Sequence, residues 1–190
     1  MTFERTTDAR HEYLDGQVYA MAGESIEHSR ICVNIAAELR AQLKGGPCEA
    51  LSPNMKVVTS PAGLFSYPDV VVVCGEPQFY DERRDILLNP TVVFEVLSPS
   101  TEAYDRGEKF LRYRTQLASL QEYVLVSQHK PLVEHYARRP DGSWNYSSAS
   151  GLAESLILPS INCRLTLSEI YDRVAFPAGA GGGEEGQETH

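Results

Sequence analysis

The sequence predicts an α/β (α+β) protein, a mixed β-sheet flanked by α-helices. Three observations carry that expectation. Along the chain the elements follow the order helix, several strands, helix, more strands, as in a sheet with helices packed on it. Residues 70–74 are an unbroken apolar run and 91–97 a second, largely apolar one, both of strand length, the pattern of strands covered on both faces. The 190 residues, 42% hydrophobic and 23% charged, suffice for one domain with a full core and exclude a disordered or fibrous chain. The expected organisation is a single domain over 1–175 and a flexible Gly/Glu-rich tail over 176–190, where nothing after Phe176 can anchor packing.

Each element has its own local signal. A strand over 17–22 leaves the turn Asp15-Gly16, with Val18, Ala20 and Ala22 alternating against Tyr19 and Met21. Residues 25–43 place Ile31, Cys32, Ile35, Leu39 and Leu43 on one helical face, and Gly45-Gly46-Pro47 stops the helix. Extended segments at 48–51 and 54–59 precede a turn at Pro61-Ala62-Gly63. Pro68 marks entry to the covered strand 67–74, residues 75–90 are polar and turn-rich, and the covered strand 91–97 ends at Ser98-Pro99-Ser100-Thr101. A second helix is expected over 106–117, capped by Asp105 with Glu108 three residues on, its inner stripe being Phe110, Tyr113 and Leu117. Strands at 122–127, 131–138 and 144–147 follow, the last two joined through Pro140-Asp141-Gly142. A short helix over 166–174 closes the body.

Charge narrows the function. Seventeen Lys+Arg against 26 Asp+Glu give a net charge of -9, so no general attraction to phosphate backbones or anionic membranes is built in. Any nucleic-acid role must rest on a local site. Cys32, Cys48, Cys74 and Cys163 lie far apart without ligand-like spacing and read as reduced, mostly buried thiols rather than a zinc site or a disulfide framework. The N-terminus lacks the apolar core of a signal peptide, and no stretch approaches the roughly 18 apolar residues of a membrane span. A cytoplasmic location is expected.

The chemistry-bearing feature is a pair of acids on neighbouring apolar strands: Asp69 heading the valine run and Glu95 inside Thr91–Leu97. Removing an ionised carboxylate from water costs several kcal/mol unless it is paired, hydrogen-bonded or bound to a metal. Two converging carboxylates raise each other's pKa, and a hard divalent cation such as magnesium or manganese between them removes the conflict. The bland reading, acids at strand ends facing solvent or paired with a base, holds better for Asp69 than for Glu95. Lys109, early in the second helix, can turn back towards these acids, although spacing alone suits a solvated lysine as well. Arg106, Arg112 and Arg114 alternate with Glu102, Asp105 and Glu108, the pattern of a salt-bridged, solvated helix face. His28 shares the apolar face of the first helix and reads as a partly buried, hydrogen-bonded histidine. Cys32, four residues on, makes a thiol–imidazole pair formally available, but no orienting acid supports it as a nucleophile. No GxSxG, Walker-type or HExxH motif is present.

Four stretches together resemble the Uma-two family of endonucleases, within the PD-(D/E)XK or restriction-endonuclease-like nuclease superfamily. They are Leu14-Asp15-Gly16-Gln17-Val18-Tyr19 with Met21 and His28; Tyr67-Pro68-Asp69-Val70; Val93 through Thr101; and Asp105-Arg106 with Lys109, Tyr113 and Glu122-Tyr123. The resemblance implies a restriction-endonuclease-like core with a metal-dependent phosphodiester-cleaving site. Asp69 and Glu95 would be its metal ligands, helped by the Val96 carbonyl, and the ion Mg2+ or Mn2+. The chain departs from the superfamily at Leu97, where the pattern wants lysine, which makes Lys109 the replacement. His28 and Asp105 would be supporting residues. Catalytic residues Asp69, Glu95 and Lys109 acting on nucleic acid, DNA favoured, are the first expectation, and by fold analogy a homodimer would serve when both strands are cut. The alternative is a catalytically inactive nuclease fold kept as a binding or assembly module.

Overall fold

The computed structural model describes residues 11–14, 17–20, 23–60 and 63–177. The turn at Asp15-Gly16, residues Met21, Ala22, Pro61 and Ala62, and the tail beyond Pro177 lie outside them. The chain opens with an antiparallel pair, β1 (His11–Leu14) and β2 (Gln17–Ala20), of which β1 carries no periodic sequence signal. Helix α1 (Ile26–Leu43) matches its prediction, with the Ser25 hydroxyl accepting the His28 N–H at 3.1 Å as its N-cap. Its stop is physical: Gly45 adopts φ +78, which costs a glycine little, and Pro47 follows.

Strands β3 (Cys48–Leu51), β4 (Lys56–Val58), β5 (Phe65–Ser66), β6 (Val70–Cys74), β7 (Ile86–Leu87) and β8 (Val92–Leu97) follow. The next helical stretch runs from α2 (Glu102–Tyr104) through a π-helical segment (Asp105–Lys109) into α3 (Phe110–Gln116). Then come β9 (Glu122–Ser127), β10 (Leu132–Arg138), β11 (Trp144–Ser150), a hairpin of β12 (Ser155–Leu158) and β13 (Cys163–Thr166), and α4 (Leu167–Ile170). The two-residue strands β5 and β7 and the β12–β13 hairpin are absent from the sequence reading.

The central sheet has six strands in the order β11-β10-β9-β8-β6-β3, and it is mixed because β8 and β9 run parallel. A second sheet, β2-β1-β5-β4-β7, packs beside it. Alternation along β6 and β8 divides the core. Val70, Val72, Phe94 and Val96 meet α1, α4 and the β12–β13 hairpin on one face. Val71, Val73, Val93 and Leu97 meet Phe110 and Tyr113 of α3, with Val57 and Leu87 of the second sheet, on the other. The valine runs are therefore covered on both sides, as their composition demands. Ile31, Ile35 and Leu39 are fully buried, each burial stabilising by about 1.5–3 kcal/mol.

Three expectations are corrected. Asp105 does not cap a helix over 106–117, because the helical stretch starts earlier: the Ser98 carbonyl accepts the N–H groups of Thr101 and Glu102 at 3.1 and 2.9 Å. Asp105 thus lies inside the helical stretch and is buried. Cys48 and Cys74 are not reduced thiols but a disulfide, since the register of β3 on β6 sets them directly opposite each other. Cys32 and Cys163 are free and buried, as expected. The closing helix is only Leu167–Ile170, held by a capping box between Thr166 and Glu169, and Arg173 at φ +61 ends any continuation. Beyond it, Phe176 packs edge-on against Tyr171. Among the described residues, no helix is long and apolar enough to cross a membrane.

Candidate active site

Antiparallel pairing of β6 with β8 sets Val70 opposite Phe94, so Asp69, just before β6, and Glu95 of β8 are the next residues along and lie beside one another at the junction of the two strands. Asp69 heads β6 and is partly exposed. Its Oδ2 accepts the Val96 N–H at 2.7 Å and lies 3.3 Å from His28 Nε2. The acid is thereby tied both to the strand beside it and to α1. His28 also meets Glu24, its Nδ1 being 2.9 Å from Oε2. Burial works against protonation of this imidazole, but the hydrogen bond and charge of Asp69, with Glu24 adding, raise its pKa above the ordinary value.

Glu95 is buried between Val93 and Leu97, on the face of the central sheet that meets α3. One oxygen, Oε2, lies 3.0 Å from Lys109 Nζ, while Oε1 is buried without a hydrogen-bond partner among the described residues. Burial holds its pKa well above the usual carboxyl range; Lys109 opposes that, and Asp105, Asp69 and Glu12 reinforce it. Lys109 is no solvated surface lysine. Its ammonium is buried and has three carboxylates around it: Glu95, Glu12 at 3.2 Å and Asp105 at 3.3 Å. Burial alone would lower its pKa, but the three acids more than offset that and keep the lysine protonated.

The π-helical segment turns both Asp105 and Lys109 inward, which leaves Arg106 and Arg112 on the outer side. Those two arginines pair with Glu102 and Glu108, as expected of a salt-bridged face, and Arg106 also contacts Glu134. Asp105 is the exception to that pattern, since it faces Lys109. Further in, the Tyr113 hydroxyl hydrogen-bonds Ser66 at 2.5 Å, and Tyr123 donates to the Asp105 carbonyl at 2.9 Å. These contacts fix the helix against β5 and β9. Cys32 Sγ lies 3.5 Å from His28 Nδ1, but burial and the nearby acids push the thiol pKa up, the opposite of what an activated nucleophile needs.

The structure therefore gathers Asp69, Glu95, Lys109, His28 and Asp105 into one cluster at the β6–β8 junction. Glu12 joins them from β1, outside the sequence reading; its strand is too short for a periodic signal, and only the topology brings it to Lys109. With Glu12, Asp69, Glu95 and Asp105 around one lysine and one histidine, the cluster carries an excess of negative charge. That excess and the unpartnered Glu95 Oε1 suit a divalent cation held by oxygen ligands.

A family model described as "Uma2: Putative restriction endonuclease" matches residues 1–168. An uncharacterised protein of Synechocystis sp. is 37% identical over 179 residues, covering 93% of this chain and 90% of its own length. A second uncharacterised protein of the same organism is 32% identical over 148 residues, covering 78% and 83%. The crystal structure of "a putative nuclease belonging to DUF820" from Anabaena variabilis superposes with a TM-score of 0.73 over 89% of this chain and 93% of that one; at 16% identity the likeness is one of fold. The chain belongs to the Uma2 family of restriction-endonuclease-like proteins.

Proposed function

We propose that this chain is a divalent-cation-dependent endonuclease that hydrolyses phosphodiester bonds of nucleic acid, with DNA the favoured substrate and Mg2+ or Mn2+ the ion. One observation carries the reading: Glu95 is buried with one oxygen on Lys109 and the other without a partner among the described residues, one strand away from Asp69. A buried carboxylate oxygen without a donor is costly, and a cation supplies the missing partner. Asp69 and Glu95 would hold the ion, and an oxygen-only donor pair selects a hard one.

When bound, the ion lowers the pKa of a coordinated water and offsets charge on the scissile phosphate. The chain's own residues supply the rest. Lys109 keeps its proton at Nζ and sets a fixed positive charge beside Glu95, where it stabilises the charge that builds on the phosphoryl oxygens. Asp105 and Glu12 position that ammonium. His28 orients Asp69 through Nε2. Since the chain is acidic overall, affinity for nucleic acid rests on this site and not on a basic surface. Cutting both strands of a duplex calls for two such sites, which a homodimer provides.

The test is a cleavage screen on supercoiled DNA, single-stranded DNA and RNA with Mg2+, Mn2+ or EDTA. The expected result is cation-dependent cutting that Asp69→Asn and Glu95→Gln each abolish while the fold persists. Full activity in both variants overturns the assignment. A folded wild type that cuts none of the substrates supports the non-catalytic binding module instead.

A further inference from the structure

The stretch of α1 that reaches towards Asp69 carries donor atoms that cleavage chemistry leaves unused. His28 and Cys32 are one turn apart on α1, and Glu24, just ahead of the Ser25 cap, brings its carboxylate to the same side. Glu24 Oε2 is 2.9 Å from His28 Nδ1, Cys32 Sγ is 3.5 Å from that same nitrogen, and the three donor atoms all lie within 4.8 Å of one another. We propose that these three side chains form a second cation site, selective for a zinc-class ion and distinct from the Asp69–Glu95 pair.

The donor set argues for the ion. A carboxylate, an imidazole and a thiolate are zinc ligands, and the sulfur discriminates against magnesium and manganese. Around a tetrahedral ion with bonds of about 2.0–2.3 Å, neighbouring donors sit about 3.3–3.8 Å apart. The sulfur and nitrogen already have that spacing. Glu24 has to open from Nδ1 by a few tenths of an ångström and settle at the same spacing from the sulfur, a movement its half-exposed side chain allows. The outer shell is also in place. A zinc-ligating histidine usually donates its other ring N–H to a carboxylate, and here Nε2 faces Asp69 Oδ2 at 3.3 Å. The ion takes the Nδ1 lone pair and expels the thiol proton of Cys32. Three protein ligands leave a fourth position open beside the exposed Glu24. Occupancy would lock His28 with Nε2 on Asp69, so the site also fixes the orientation of that acid.

Cobalt(II) is the probe, titrated into the full chain without reductant so that Cys48 and Cys74 stay paired. The expected result is a near-ultraviolet thiolate-to-cobalt charge-transfer band that stoichiometric Zn2+ displaces and excess Mg2+ does not. Cys32→Ser should abolish the band. Glu24→Gln, a half-exposed change with little folding risk, should weaken affinity at least about tenfold while keeping it. Glu95→Gln should leave band and affinity unchanged, which separates this site from the cleavage site whatever becomes of the nuclease reading. If circular dichroism shows that Cys32→Ser is unfolded, His28→Gln replaces it and should lose tight binding. No thiolate band in the folded wild type, a band that survives Cys32→Ser, or one that vanishes in Glu95→Gln overturns the proposal.

Discussion

Replacing Lys109 by methionine keeps the side chain's length and removes its charge from the centre of the cluster. Nζ lies 3.0, 3.2 and 3.3 Å from Glu95, Glu12 and Asp105, so the change strands buried carboxylates that have no other cation within reach of a salt bridge among the described residues. Breaking a buried ion pair by removing one partner costs about 3–5 kcal/mol. For a chain of this size each kcal/mol lowers the melting temperature by roughly 2–4 °C, so a drop of about 6–20 °C is expected. Calorimetric melts at several pH values provide the assay. Glu95 has a folded pKa above its unfolded one, so the folded chain retains a proton that the unfolded chain releases, and stability falls as pH rises between the two values. Without Lys109 that window extends upwards, and the deficit of the variant should shrink as pH falls towards the ordinary carboxyl range. Glu95→Gln in the same chain should recover part of the loss, giving a coupling energy above about 1 kcal/mol. A variant that melts with the wild type at neutral pH, with no coupling to Glu95→Gln, would refute the buried network.

Other expectations follow from the same contacts. Asp69→Asn or Glu95→Gln should cut the cation-dependent cleavage rate at least about a hundredfold in a plasmid-nicking assay, with far-ultraviolet dichroism unchanged. Ser66→Ala and Tyr113→Phe should each cost about 1–3 kcal/mol in urea melts because each leaves a buried hydroxyl unpaired, while the double variant should recover part of that loss. Opening the Cys48–Cys74 disulfide, which spans 26 residues, should cost about 3 kcal/mol, read as a lower melting temperature under reductant that a Cys48→Ser, Cys74→Ser variant reproduces. Stabilisation by Mn2+ should grow with pH, because the ion must displace the proton that Glu95 retains in the folded state.

The acids were the most legible part of the site. An ionisable residue inside an apolar strand run is visible in the string itself, and Asp69 and Glu95 need only an antiparallel neighbour to converge. Helix α1 was readable for the same reason, since Ile31, Ile35 and Leu39 mark one face and Gly45 ends it. What depends on register or on very short strands was not readable. Cys48 and Cys74 face each other only because β3 pairs with β6 in one register. Glu12 and Ser66 enter from β1 and β5, whose lengths give no periodicity, so their approach to Lys109 and Tyr113 exists only in the folded topology. Asp105 has the composition of a cap, yet the Ser98 turn starts the helix earlier and carries that acid inward. The cysteine spacing was equally silent on Cys32: it has no cysteine partner, and its approach to His28 and Glu24 depends on where α1 starts.

The central claim is that Asp69 and Glu95 form a cation site without which the cluster is chemically incomplete. Calorimetric titration of Mn2+ into the wild type and into the folded Asp69→Asn, Glu95→Gln double variant tests it most directly, with thermal melts of both alongside. The expected result is binding by the wild type that disappears in the double variant, with a Mn2+-dependent rise in melting temperature in the first alone. Equal binding by both proteins would contradict it.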